Sequence, residues 1–199
     1  MGPAGGACGL GRSQTADGRK ERPITIFEVL EHEHRLIAKV LTVAQSRARN
    51  MVPAAAADEL FWTELSRFAE EFVCRRHQAK EFKLFFCLQR QAHAQVTAFV
   101  GSLLTEHGQL AQLSKSLMIS REMIKADAGN DHEFFAGHFA RYIALIKKHM
   151  LEEDRFFRMV GGLVEPSEQF DLVAFFEKLD RETECRVGPW AQQVASVCV

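Results

Sequence analysis

The sequence predicts an all-α fold in which four long helices form an up-down-up-down four-helix bundle and an extra short helix follows at the C-terminus. Apolar residues recur at intervals of three and four through most of the 199-residue chain, as they do along helices with one buried face. No proline lies between residues 54 and 165, and six of the thirteen glycines fall within the first 22 residues. Long helices with short connections are typical of such bundles.

The first two helices are bounded by local signals. Thr25 and Glu28 form a capping box, in which each side chain accepts a hydrogen bond from the backbone N–H of the other residue. Helix one is therefore expected over residues 25–47. Residues 50–58 form a connector, and helix two is expected over residues 58–90.

Helices three and four are separated by a segment rich in helix-breaking residues. Between helices two and three, a turn is predicted within Gln91–Gln95, because a single helix from residue 58 to residue 127 would be far longer than globular helices usually are. Helix three should end near Ala126. Asn130 and Glu133 form a second capping box, and helix four is expected to end at Val160, before two glycines.

The chain divides into three parts. Residues 1–22 are too poor in bulky apolar side chains to offset the entropy of ordering, so a flexible glycine-rich tail is expected there. The bundle occupies residues 23–160. Within residues 161–199, a shorter helix is expected from Ser167 to about Glu182, followed by an apolar tail that packs on the bundle or on a partner, which includes self-association.

Composition excludes several classes of protein. Twenty-five basic and 26 acidic residues give a formal net charge of −1, so there is no single-sign field for binding nucleic acid. The longest uncharged run is 15 residues, shorter than the roughly 20 that a membrane-spanning helix needs. The five cysteines form no C-x-x-C pair, and no signal peptide precedes the helices, which together favour a cytoplasmic location.

Two segments share an H-x-x-x-E pattern: His77 with Glu81, and His149 with Glu153. A step of four residues advances a helix by about one turn, so the imidazole and the carboxylate lie one above the other on one face. Such a pair can bind neighbouring points of one metal cluster.

The position of these residues on their helices is more informative than their spacing. His149 and Glu153 lie in the middle of an apolar stripe, and His34 and His107 are each centred on the stripe of their own helix. These polar side chains are therefore expected to be buried.

Helix two shows an irregularity in its stripe. His77 and Glu81 share a face with the apolar residues around them. The stripe in the first half of the same helix is rotated away from that face; it comprises Phe61, Leu65, Phe68 and Phe72.

An antiparallel bundle would bring one histidine from each of the four helices to a similar level. Burying four imidazoles and two carboxylates without partners costs several kcal/mol for each group, and a metal cluster supplies the partner. Mixed nitrogen and oxygen ligands without thiolate suit iron or manganese, with zinc possible. Two carboxylates able to bridge point to two metal ions, and two irons (Fe2+/Fe3+) are favoured.

The pattern resembles the H…HxxxE…H…HxxxE signature of haemerythrin-like (HHE) cation-binding domains over residues 24–160. Its elements are His34, the His77/Glu81 pair, His107 and the His149/Glu153 pair, and the local text E-H-R-L-I at 33–37 and H-x-x-E-E-D-x-x-F at 149–157 agrees. The resemblance implies a non-haem di-iron centre with Glu81 and Glu153 as bridging carboxylates. It also implies binding of dioxygen, nitric oxide or peroxide, or a role in sensing or holding iron.

The chain departs from that pattern in two places. Oxygen-carrying haemerythrins have an H-x-x-x-H pair on the third helix, whereas here His107 is followed by Ala111, so four histidines remain instead of five. Gln78 stands where some members carry a second histidine or a glutamate. Fewer protein ligands leave more open coordination on the irons, which argues against reversible dioxygen carriage.

Three functions remain open from the sequence. The first is small-ligand binding for sensing, scavenging or detoxification. The second is enzymatic turnover, such as peroxide decomposition or nitric oxide reduction. The third is a regulatory or storage protein whose metal site is structural or reports iron availability.

Several other side chains are expected to lie outside the cluster. His32 is expected at the surface, and His138 is too far along its helix to join the site. Tyr142 is expected to pack in the core with its hydroxyl hydrogen-bonded, and Cys74 to behave as a small buried hydrophobe. His93 and His132, at helix ends, are expected to be solvated.

Overall fold

A computed structural model describes residues 25–49, 56–90, 94–126 and 131–197. Within these ranges the chain is helical with no strand, which confirms the all-α class. The elements are α1 Ile26–Arg49, α2 Ala56–Arg67, a π-helical segment Phe68–His77, α3 Gln78–Arg90, α4 Ala94–Ala126, α5 Asp131–Val160 and α6 Pro166–Val197. The predicted tail over residues 1–22 lies outside the described residues, as do the side chains of the Asn130/Glu133 capping box.

The first helix begins at the predicted capping box. The Thr25 backbone N–H donates to Glu28 Oε2 at 2.8 Å, and the Glu28 N–H donates to Thr25 Oγ1 at 3.2 Å. These reciprocal bonds satisfy two donors that a helix N-terminus otherwise leaves without partners.

The second predicted helix is one helical run from Ala56 to Arg90 with a π-helical middle. At the end of that middle segment, the Gln78 N–H bonds to the Val73 carbonyl five residues earlier. A turn of this kind places residues five apart on one face, so Phe72 and His77 are both buried. The π-helical segment therefore explains why the apolar stripe of the first half is out of phase with His77 on a regular α-helix.

The C-terminal helix is longer than the sequence indicated. The predicted helix ended at about Glu182, whereas α6 spans 32 residues and begins at Pro166, one residue earlier than expected. Proline is favoured as a first helical residue because its missing N–H would have had no partner there. The helix also continues through Gly188 and Pro189, where proline removes one hydrogen bond but does not end the helix.

Two apolar clusters form the core. The Trp62 cluster contains buried residues from 37–44, 62–73, 110–117 and 135–150. The Phe85 cluster contains buried residues from 26–30, 84–88, 100–103, 156–164 and 172–176. A four-helix bundle with one additional helix is compatible with this arrangement. In the described part of the chain, no helix is both long enough and apolar enough to cross a membrane.

The first half of α6 packs on the other helices. Leu172 and Phe176 are buried in the Phe85 cluster, and α6 contacts α1, the π-helical segment and α3. Phe170 and Val173, on the other side of α6, are exposed. The face of α6 that carries Leu172 and Phe176 therefore covers the other helices, which was one of the two alternatives left open by the sequence.

We expect Phe176→Ala to destabilise the protein by about 3–5 kcal/mol, because the phenyl ring is 3% exposed and its removal leaves a cavity. Phe170→Ala is the matched control on the same helix, since its ring is 75% exposed, and it should shift stability by less than about 0.5 kcal/mol. Urea unfolding of both variants measures the difference. Equal stability of the two variants would contradict the packing of α6.

Candidate metal centre

Four helical runs each deliver one histidine to a single polar layer of the core. His34 comes from α1, His77 from the end of the π-helical segment, His107 from α4 and His149 from α5. His34, His77 and His107 lie along their helices between the residues of the Trp62 cluster and those of the Phe85 cluster, and His149 lies at the end of the Trp62 cluster segment of α5, before Phe156 of the Phe85 cluster. The layer is therefore enclosed by apolar side chains on both sides.

All six predicted ligands are brought together in this layer. No residue among them is more than 3% exposed, and Glu81 and Glu153 are fully buried. They form two overlapping groups whose ligand atoms lie within 4.8 Å of one another: His34, His77, Glu81 and Glu153, and Glu81, His107, His149 and Glu153. Because the two carboxylates belong to both groups, the arrangement offers two adjacent positions for metal ions.

The His34/His77 half is formed around one oxygen of each carboxylate. His77 Nε2 lies 2.9 Å and His34 Nε2 lies 3.3 Å from Glu81 Oε1. His34 Nε2 is also 3.4 Å from Glu153 Oε2. The two imidazole rings meet edge to face with their centroids 4.8 Å apart.

The His107/His149 half uses the other oxygen of each carboxylate. His149 Nε2 lies 3.1 Å from Glu153 Oε1, and His107 Nε2 lies 3.2 Å from Glu81 Oε2 and 3.6 Å from Glu153 Oε1. The ring centroids of this pair are 4.7 Å apart. Each carboxylate thus directs one oxygen toward each half.

Three of the four imidazoles are oriented by carboxylates outside the cluster. His77 Nδ1 donates to Glu33 Oε2 at 2.9 Å, His149 Nδ1 donates to Glu106 Oε2 at 2.9 Å, and His34 Nδ1 donates to Asp154 Oδ1 at 2.7 Å. A partner on Nδ1 fixes the ring so that Nε2 faces the centre. This is the usual arrangement around metal-binding histidines.

These outer carboxylates were missed by the sequence analysis, although a signal was present. A Glu-His dipeptide recurs at 33–34 and at 106–107, on the two helices that supply a single ligand each. In both cases the glutamate holds the histidine of an H-x-x-x-E pair on a neighbouring helix. The same dipeptide also occurs at Glu31-His32, whose histidine is exposed, so it is a partial signal that does not identify the outer carboxylates by itself.

The electrostatics of the layer favour positive charge among the carboxylates. Burial by itself lowers the pKa of each of the four imidazoles, but the surrounding carboxylates raise it above the ordinary value, for His107 to about 9. Burial likewise raises the pKa of Glu153, and the neighbouring imidazoles lower it, to about 2. Positive charge on these nitrogens, or a metal cation bound to them, is therefore stabilised in this layer.

Several buried polar atoms of the layer have no hydrogen-bond partner. Among the described side chains these include Glu81 Oε2, both oxygens of Glu153, His149 Nε2 and both ring nitrogens of His107. Buried polar atoms are rarely left in this condition, because the loss of water is not compensated. A metal ion in each group would partner most of these atoms, so the residues present fit a pair of metal ions.

The other candidate side chains lie outside the cluster. His32 is exposed, as predicted. His138 is half-buried and lines a separate surface groove between α4 and α5 with Gln109, Arg141 and Lys148. The structure describes neither His93 nor the side chain of His132.

Tyr142 and Cys74 both lie outside the two ligand groups, and the structure tests what the sequence predicted for each. Tyr142 is buried in the Trp62 cluster as predicted, but its hydroxyl has no hydrogen-bond partner among the described residues. The expected hydrogen bond is therefore wrong. Cys74 is half-buried outside both ligand groups, and burial raises the pKa of its thiol to about 11, which disfavours a thiolate ligand.

Comparison with protein-family models, curated proteins and solved structures returned no match to this chain.

We expect chelator-stripped protein to lose stability as the pH rises from about 6.5 to about 9. A histidine whose pKa is raised by folding contributes its full stabilisation below the unfolded value. That contribution is lost as the pH rises through the folded value, about 9 for His107. Thermal unfolding at the two pH values measures the loss.

The matched comparison uses His107→Gln, which should show a shallower loss, and His32→Gln, which should keep the slope of the unmodified protein because His32 is exposed. Equal stability at both pH values in the unmodified protein would refute the electrostatic account of the layer.

Proposed function

We propose that this chain is a haemerythrin-like non-haem di-iron protein that binds dioxygen, nitric oxide or peroxide for sensing, scavenging or detoxification. The observation that carries the proposal is the pair of buried four-residue groups that share Glu81 and Glu153. Two carboxylates common to two sets of imidazoles are the donor arrangement that a bridged pair of metal ions requires.

The order of the core residues supports an up-down-up-down bundle around this centre. Along α1 the chain passes from the Phe85 cluster to the Trp62 cluster, and along the run from α2 to α3 it returns. The helices α4 and α5 repeat the same two passages. Alternating passages of this kind are expected when consecutive helices are antiparallel.

Iron is the metal that we favour, with manganese and zinc as less favoured alternatives. The donors are imidazole nitrogens and carboxylate oxygens, and no thiolate belongs to either group. This donor set suits iron and manganese, and zinc accepts it as well. Bound iron would supply a redox-active centre for a diatomic ligand or peroxide.

The chain leaves room for a small ligand at such a centre. Each metal ion would have two imidazoles and the two shared carboxylates as protein ligands. An octahedral iron accepts more donors than these four residues supply with one atom each. Ala111, one turn beyond His107, has no donor atom, and Gln78 is buried without a partner for its amide nitrogen. Open positions favour binding and reaction of a small molecule over a closed structural site.

The apolar shell would limit the access of water to bound ligand. The rings of Phe82 and Phe85 lie 5.2 Å and 5.9 Å from the His107 ring, and Phe157 stacks on His34 at 6.0 Å. A dry surrounding strengthens the electrostatic influence of the imidazoles and carboxylates and excludes competing hydrolysis. The outer carboxylates Glu33 and Glu106 keep the rings in position.

A second candidate function is a regulatory or storage protein in which the metal site reports iron availability. One observation favours it: Lys80, fully buried, bonds both Glu33 and Asp180 of α6, at 2.5 Å and 2.6 Å. Glu33 in turn holds His77. A change at the metal site could therefore reach α6 through two ionic contacts.

We expect anaerobic loading with iron(II) to give two iron ions per chain, since the six ligands form two positions. His77→Ala and His149→Ala should each lower the bound iron by at least half, whereas His32→Ala, at an exposed histidine of α1, should not change it. Metal analysis of the purified variants gives the answer. Unchanged iron content in both His77→Ala and His149→Ala would remove the basis of the proposal.

We further expect the iron-loaded protein to change its visible absorption on addition of dioxygen, nitric oxide or peroxide, because open positions allow the ligand to reach iron. Iron(II) in the same buffer without protein is the control. A loaded protein that binds two iron ions and responds to none of the three would instead support the iron-reporting function.

A further inference from the structure

The two halves of the centre are related by an approximate repeat in the sequence. Glu33-His34 on α1 corresponds to Glu106-His107 on α4, and the His77/Glu81 pair corresponds to the His149/Glu153 pair. The outer contacts repeat as well, because Glu33 holds His77 as Glu106 holds His149. The two halves can therefore be compared residue by residue.

The two halves differ at the residue that follows the glutamate of each H-x-x-x-E pair. Asp154 follows Glu153 and accepts a 2.7 Å hydrogen bond from His34 Nδ1. Phe82 follows Glu81 and places its ring edge to face against His107 at 5.2 Å. His107 Nδ1 is consequently buried without a hydrogen-bond partner. Of the four imidazoles, His107 alone lacks an outer carboxylate.

The carboxylates that hold the other histidines also differ in their surroundings. Glu33 is bound by Lys80, which is fully buried, and Lys80 and Arg76 are both tied to Asp180 of α6, at 2.6 Å and 2.8 Å. Glu106 is bound by Lys148, whose side chain is 56% exposed. An exposed ion pair is screened by water and orders its partners less firmly than a buried network does.

The aromatic side chains that lie over the two halves also differ in exposure, and again the His107 side is the more exposed. The Phe85 cluster residue Phe176 of α6 lies over Lys80 on the His77 side, with the Lys80 ammonium 5.4 Å from its ring centroid. On the other side Phe82 covers His107, and this side chain is itself 50% exposed. The cover on the His107 side is therefore more exposed than Phe176, which is 3% exposed, on the His77 side.

From these three differences we infer that the two metal positions are inequivalent and that the ion held by His107 and His149 is the exchangeable one. The inference rests on the proposed di-metal centre. The His34/His77 position retains its divalent ion because both rings have an outer carboxylate partner, and the partner of His77 belongs to a buried ionic network. The His107/His149 position releases its ion first because His107 can turn away from the centre without breaking an outer hydrogen bond.

The test is the release of iron(II) from the anaerobically loaded full-length protein to an excess of a coloured iron(II) chelator. We expect two phases of equal amplitude, one ion in each. Phe82→Asp supplies the carboxylate that His107 lacks and should slow the fast phase about tenfold, the lower end of the usual effect of an outer partner on metal binding. Asp154→Ala removes the partner of His34 and should accelerate the slow phase by a similar factor.

Phe86→Asp is the matched control for the Phe82 substitution. It makes the same chemical change one turn further along α3, where the side chain is 59% exposed, and should leave both phases unaltered. Circular dichroism of each loaded variant verifies that it is folded, and Asp154→Ala provides an independent second variant.

The outcomes separate this inference from the proposed function. A loaded protein that does not hold two ions contradicts the proposed function. Two ions that leave in a single phase, or a Phe82→Asp substitution that slows only the slow phase, overturn the inference and leave the di-iron proposal intact.

Discussion

The structure depends on the mutual compensation of two buried carboxylates and four buried imidazoles. Glu81 and Glu153 lie between two apolar clusters, where an ionised carboxylate without a partner would be strongly destabilising. Four helices converge on them because only a ring of nitrogen donors, with protons or metal ions, makes their burial tolerable. The outer carboxylates and the aromatic cover hold that ring in place.

The six central residues could be predicted because each follows a rule of helical periodicity. Their spacing gave the pairs, and their position within apolar stripes gave their burial. The outer residues Glu33, Glu106 and Asp154 could not be identified in this way, because a carboxylate beside a buried histidine has the pattern of an ordinary surface charge. Only tertiary packing decides that Glu33 contacts His77, 44 residues away.

Helix bounds were predictable where capping or glycine signals were strong, as at Thr25 and Val160. The π-helical segment was visible only as a mismatch between two apolar stripes, since its hydrogen bonding has no simple signature in residue types. The length of α6 was underestimated because Gly188 and Pro189 disfavour helix in isolation. The burial of Lys80 depends on a partner 100 positions later in α6 and has no local signal.

The approximate repeat has an architectural consequence. His34 and His77 are 43 residues apart, and His107 and His149 are 42 apart, so α1 with the helical run that follows it, and α4 with α5, each carry one complete copy of the donor pattern. The donors of the centre thus come in equal numbers from an N-terminal and a C-terminal pair of helical runs, so neither pair alone can complete the ligand set.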